Sequence, residues 1–133
     1  MRHYQTISKG DRVLKILVVD DEVEVVNFLC VFLERLGLDA EKATCGREAL
    51  EVFSRKKPEW VFLDIKMPDM DGLEVLKKMK EIDPNIKAMM ITGRNDEATQ
   101  SEAQALGASD YLIKPIDLDD LREKIKQHIP IKG

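Results

Sequence analysis

The sequence predicts an open α/β sandwich, a five-stranded parallel sheet with helices covering both faces. Three observations carry it. Short apolar runs of strand type alternate with longer segments of helical period along the chain. No two runs are joined by a tight hairpin turn, so successive strands need crossovers, which are right-handed and lay helices on the sheet. Runs such as "ILVV" (16–19) and "MMI" (89–91) are apolar at every position, as strands covered on both sides should be.

The first run, "KILVVD" (15–20), leads into a predicted helix from Glu22 to Leu36. There Val25, Leu29, Phe32, Leu33 and Leu36 recur at helical spacing as one apolar face. Gly37 then ends that helix as a C′ glycine. "LDAEKA" (38–43) is the weakest strand signal, and a helix over 46–56 follows it. "WVFLD" (60–64) is the third strand, with a helix over 72–82 after a loop carrying Met67, Pro68, Asp69, Asp71 and Gly72. "KAMMIT" (87–92) precedes a helix over 97–106, stopped by Gly107. "DYLIK" (110–114) is the last strand, and Asp117 is the expected N-cap of a closing helix over 118–128. Residues 1–13 read as a flexible extension, 14–129 as the domain, and 130–133 as a tail or the start of a linker.

A chain of 133 residues suits one domain with a single core. No apolar run approaches the ~20 residues of a membrane span, and the polar "MRHYQTISKGDR" lacks the apolar centre of a signal peptide. The expected location is the cytoplasm. A formal charge of −4 gives no global field for binding nucleic acid or an anionic membrane, so neither is expected as a partner. Cys30 and Cys45 are too few for a disulfide framework; Cys30 reads as a small core residue and Cys45 as a loop residue. Trp60 and the methionines read as packing, and neither His3 nor His128 is assigned a part in the chemistry.

The chemistry lies at the strand ends. In an open parallel sheet, ligands bind beyond the carboxyl ends of the strands near the switch point in their order. Asp20 and Asp21 end the first run, Asp64 the third, Thr92 the fourth and Lys114 the fifth. Any one of them has an ordinary explanation, such as a helix cap, a β-former or a solvated charge. Together they do not, because two like charges about 4 Å apart repel by roughly 4 kcal/mol at an effective dielectric near 20. Three gathered acids need a cation, or one of them must be neutral. Mg²⁺, or Mn²⁺ in its place, takes oxygen ligands and is bound through one or two carboxylates plus a phosphate. With Asp20 and Asp21 on the metal, Asp64 is free to attack phosphorus and form an acyl phosphate. Lys114 would neutralise charge on the transferring group and Thr92 would donate a hydrogen bond to it. Gly93 leaves room for the group to enter.

With these residues in place, the sequence resembles the receiver domain of bacterial two-component response regulators, chemotaxis regulators among them. The resemblance rests on "LVVDDE" (17–22), "LDIKMPDMDG" (63–72), "MMITG" (89–93) and "DYLIKP" (110–115), in that order. It implies a flavodoxin-like (βα)5 fold with strand order 2-1-3-4-5. It implies that Asp64 is the phosphoacceptor, charged by a sensor histidine kinase, a histidine phosphotransfer domain or small acyl phosphates. Asp20, Asp21 and the Lys66 backbone carbonyl would then join Asp64 at Mg²⁺. Thr92 would be the switch hydroxyl, Tyr111 the aromatic that turns inward, and Lys114 the phosphate partner, preceding a cis Pro115. The readout surface would be the fourth helix, fifth strand and fifth helix, acting on an effector or output domain and able to form a phosphorylation-linked dimer. Lys66 and Arg94 occupy positions that flank the hydrolytic water's path in receivers; neither can act as a base, so slow autodephosphorylation is expected.

Three rivals fit less well. An aspartate-nucleophile phosphatase of the haloacid-dehalogenase kind needs a second Asp two residues on, where "DIK" has none, and a cap for substrate. A flavodoxin-like cofactor binder needs a phosphate-cradling loop where "DDEVE" stands. A degenerate receiver serving only as an interaction module would have lost some of the site, and every acidic, Thr and Lys position is present.

Overall fold

The computed structural model describes residues 13–93 and 97–131. Its elements alternate as β1 (Lys15–Val19), α1 (Val23–Arg35), β2 (Asp39–Ala43), α2 (Gly46–Lys56) and β3 (Trp60–Asp64). There follow α3 (Gly72–Ile82), β4 (Lys87–Thr92), α4 (Glu97–Ala105), β5 (Asp110–Ile113) and α5 (Leu118–His128). All strand pairs are parallel, and the order is β2-β1-β3-β4-β5. The chain steps outward from β1 to β2 and then back to β3, so the switch point lies between β1 and β3.

Alternation within each strand builds two separate cores, because successive side chains leave opposite faces of a sheet. Leu17, Val19, Val61, Leu63, Ala88 and Met90 pack under α2 and α3. Ile16, Val18, Phe62, Met89, Ile91 and Leu112 pack under α1 and α5. Each of these side chains larger than alanine contributes about 1.5–3 kcal/mol of burial. This explains why the "ILVV" run is apolar throughout: its odd members serve one core and its even members the other. The weak signal of β2 has the converse cause. It is an edge strand in which only Ala43 is buried.

In α1 the buried stripe is Val26, Leu29, Cys30 and Leu33, with Val25, Phe32 and Leu36 half-buried beside it. The inward face is thus turned slightly from the expected one, and Cys30 is at its centre. Burial pushes the Cys30 thiol up to about 11, so it stays a neutral packing group. Gly37 and Gly107 have φ of 85° and 97°, the left-handed turn that ends α1 and α4. Asp117 caps α5 by accepting from the Asp119 N–H. Cys45, expected in a loop, is the N-cap of α2, its sulfur 3.5 Å from the Glu48 N–H. Helix α4 buries only Ala103 among its residues. Ile131 is half-buried against the α1/α5 core. Among the described residues, no helix is long and apolar enough to cross a membrane.

Candidate functional site

Each strand end facing the switch point is fixed by a backbone bond that extends the ladder past the strand. The Asp20 N–H donates to the Ala43 carbonyl at 3.2 Å, the Ile65 N–H to the Ile91 carbonyl at 2.9 Å, and the Lys114 N–H to the Thr92 carbonyl at 2.8 Å. These bonds set the depth at which Asp20, Asp64, Thr92 and Lys114 stand.

Asp20 is fully buried, Asp64 is 3% exposed and Thr92 is 6% exposed; Asp21 lies at the surface. Asp20, Asp21 and Asp64 each offer a carboxylate oxygen, and these oxygens lie within 4.8 Å of one another. Lys114 reaches in from the end of β5. Its Nζ is 2.7 Å from Glu22 Oε1, 2.9 Å from Asp20 Oδ2 and 3.5 Å from Asp64 Oδ2. The approach to Asp20 Oδ2 is close but poorly aligned, and that buried oxygen is left without a hydrogen bond. Asp20 Oδ1, in contrast, accepts from the Glu22 N–H at 2.9 Å. The Lys114–Pro115 bond is cis.

Burial and the Asp20 charge push the Asp64 carboxyl up to about 7, against the opposing pull of Lys114 and the Lys66 N–H. Burial acts to lower Lys114, yet hydrogen bonds to Glu22 and Asp20 and the Asp64 charge outweigh it and hold the ammonium above its ordinary value. One cation among these acids does not satisfy them all. A hard divalent ion fits the donor set: oxygen ligands only, two of the carboxylates deeply buried, with one buried oxygen left without a hydrogen bond.

The loop after β3 forms the floor of the site. The Lys66 N–H donates to Asp64 Oδ1 at 3.2 Å, while the Lys66 side chain is exposed. A hollow of about 420 Å³ opens here between Asp21, Ile65, Lys66, Met67, Pro68 and Asp71. Gly72 closes the loop against the strand end, its N–H donating to the Ile65 carbonyl at 2.7 Å. A Cβ on Gly72 would press into the Asp64 carbonyl oxygen and stand 2.8 Å from Ile65 Cα. No other residue type fits there without moving Asp64. Gly93 is the opposite case, since a Cβ there meets nothing within 4 Å and the space past Thr92 is open.

Two participants were not legible as such. Asp69 accepts from the N–H groups of Gly46 and Arg47 at 3.0 and 3.1 Å, tying the loop to the first turn of α2. Those bonds hold its carboxyl below the usual range. Its partners are 23 and 22 residues away, so no local pattern points to them. Glu22 stood inside the quoted "LVVDDE" with no role attached, and only the geometry brings it to Lys114.

Tyr111 lies outside the pocket, half-buried against the α2/α3 core, with the Lys124 ammonium 6.0 Å above its ring and bonded to its carbonyl oxygen. His128 pairs with Asp110 at 2.9 Å and lies 6.0 Å from the Trp60 ring, at the amino ends of the strands. Arg94 and His3 fall outside the described residues.

A doubly wound parallel sheet that carries an acidic, lysine-braced pocket at its carboxyl edge is the architecture of a phosphorylation-controlled signalling domain. The model of the response regulator receiver domain matches residues 16–126, and the chain belongs to that family. It is 36% identical over 119 residues to sporulation initiation phosphotransferase F of Bacillus subtilis, covering 90% of this chain and 96% of that one. It is 37% identical over 112 residues to the alkaline phosphatase synthesis transcriptional regulatory protein PhoP of the same organism, covering 84% of this chain and 47% of that one. A CheY-like receiver domain protein from Methanospirillum hungatei JF-1 superposes with a TM-score of 0.81 at 33% identity, over 87% of this chain and 93% of that one. The protein is a two-component signal-transduction domain of CheY-type fold, and its family binds Mg²⁺ at an acidic pocket.

Proposed function

We propose that the protein is a phosphorylation switch whose phosphoacceptor is Asp64. A sensor histidine kinase or a histidine phosphotransfer domain is the donor in this reading. An Asp64 oxygen bonds to phosphorus as the P–N bond of the donor's phosphohistidine breaks, the electron pair leaving with the imidazole nitrogen. The product is an acyl phosphate. The observation that carries the reading is the convergence of Asp20, Asp21, Asp64 and Lys114 on one pocket, at separations that repel unless a cation joins them.

Asp20, Asp21, Asp64 and the Lys66 carbonyl are the residues that would hold Mg²⁺. The ion supplies positive charge that favours ionised Asp64 and neutralises the transferring oxygens. Lys114 adds a second positive charge, and Thr92 a hydroxyl beside the open space at Gly93. A phosphoryl group brings about −1.5 to −2 charge and three acceptor oxygens, which draw Lys114 and Thr92 inward. That movement vacates space along β5 for the Tyr111 ring. The α4-β5-α5 surface is then the readout, toward an effector, an output domain or a second copy in a phosphorylation-linked dimer. Its weakest member is α4, with one buried residue. The domain acts on its own phosphoryl group alone and works in the cytoplasm.

Lys66 and Arg94 tune hydrolysis. The lifetime of phospho-Asp64 should shorten in Lys66→Asn and Arg94→Ala, and unchanged lifetimes would remove both from the account. The central test is intact mass after acetyl phosphate and Mg²⁺. The wild type gains one PO₃H and Asp64→Asn does not; a gain by both variants, or by neither, overturns the reading and leaves only an interaction module.

A further inference from the structure

The shortest contact of Lys114 is not to the phosphoacceptor. Its Nζ stands 2.7 Å from Glu22 and 3.5 Å from Asp64. Glu22 is well placed to compete. Its backbone is immobilised on both sides, by the N–H bond to Asp20 Oδ1 and by a carbonyl that accepts from Val25 and Val26. It occupies the N-cap of α1 yet makes no side-chain capping bond, so its carboxylate is committed to the lysine instead. It also lies outside the trio of carboxylates able to share a metal ion. A cation bound by that trio would offset the attraction of Asp20 and Asp64 for Lys114 and leave Glu22's hold in place.

We propose that Glu22 is a positioning residue that latches Lys114 on the α1 side of the pocket, opposing the contact Lys114 makes with a phosphoryl group on Asp64. This rests on the phosphoacceptor reading and adds its regulation: the switch must break the Glu22–Lys114 pair before Lys114 can engage phosphate. In the unphosphorylated state Glu22 and Asp20 hold the ammonium together, and drawing it toward a phosphoryl group on Asp64 carries it away from Glu22. The Glu22 side chain is 61% exposed, which places the pair at the pocket rim and limits its strength. Rim pairs of this kind correspond to at most about a five-fold change in an equilibrium.

The test is the affinity of trifluoroberyllate, a stand-in for the phosphoryl group, measured by titration calorimetry at saturating Mg²⁺. Glu22→Gln should bind it about two- to five-fold more tightly than the wild type. The gain should shrink in ~1 M salt, where the Debye length is about 3 Å. Glu24→Gln removes the same charge from the exposed first turn of α1 and should leave the affinity unchanged. In a Lys114→Met background, Glu22→Gln should have no effect, because the pair no longer exists. Equal affinities of wild type and Glu22→Gln, or an equal gain with Glu24→Gln or without Lys114, overturn the latch. Absence of binding by the wild type overturns the phosphoacceptor reading itself, and the latch with it.

Discussion

Gly72→Ala puts the geometry of the pocket floor to the strongest test. The added Cβ would stand 2.8 Å from Ile65 Cα and 2.9 Å from the Asp64 carbonyl carbon, where ordinary contact begins at 3.4 Å. The loop and the strand end must therefore separate by at least 0.6 Å (3.4 less 2.8), and more at the Asp64 carbonyl oxygen. None of these atoms belongs to a flexible side chain. Overpacking of this kind costs about 1–3 kcal/mol, and loss of the Gly72–Ile65 hydrogen bond adds roughly 1 kcal/mol. Replacing glycine at the start of a helix returns up to about 1 kcal/mol. The net loss should be about 1–4 kcal/mol, a fall in Tm of about 4–14 °C. Urea unfolding measures it, with Gly93→Ala as a comparison that should remain within about 0.5 kcal/mol of the wild type. Since the displaced carbonyl belongs to Asp64, phosphorylation by acetyl phosphate should slow as well. A Gly72→Ala protein as stable and as quickly phosphorylated as the wild type would refute the close approach of the α3 entry to Asp64.

Three further outcomes follow from the site. Asp64 is raised from an ordinary 3.8 to about 7, so its protonation favours the folded state: that contribution is complete below about pH 4 and is lost as pH rises through about 7. Without metal, Asp64→Asn should therefore exceed the wild type in stability at about pH 8 by more than at about pH 5, and a pH-independent difference would exclude the effect. Mg²⁺ should raise the Tm of the wild type, by the equivalent of about 2.7 kcal/mol at a hundred times its dissociation constant, and should do far less for Asp20→Asn; equal shifts would place the ion elsewhere. Asp69→Ala should speed amide hydrogen exchange at Gly46 and Arg47, whose N–H groups it accepts, while exchange in α5 stays unchanged.

The sequence was most legible where a residue's job is local or periodic. The central strands declared themselves because both faces are covered, and α5 because its cap, Asp117, stands just before it. Strand-end residues were legible too, since in a parallel sheet the end of each apolar run is also the edge of the crevice. What escaped detection depends on the approach of segments distant in the chain. The α1 stripe was displaced because Cys30 and Val26, rather than Phe32 and Leu36, meet the sheet most directly. The function of Cys45 changed because a thiol can cap a helix start, which composition does not reveal. Asp69 reads as a loop aspartate until α2 is beside it, and Glu22 carries no role until Lys114 arrives from 92 residues away.

The grip of Asp69 on α2 bears on how such a pocket could be transplanted. Its floor, from Ile65 to Asp71, looks like a portable cassette, yet its far end is anchored to Gly46 and Arg47. Copied alone onto another scaffold, the cassette would lose that mooring and with it the height at which the Lys66 N–H meets the Asp64 carboxylate. The smallest graft that keeps its shape includes the start of α2.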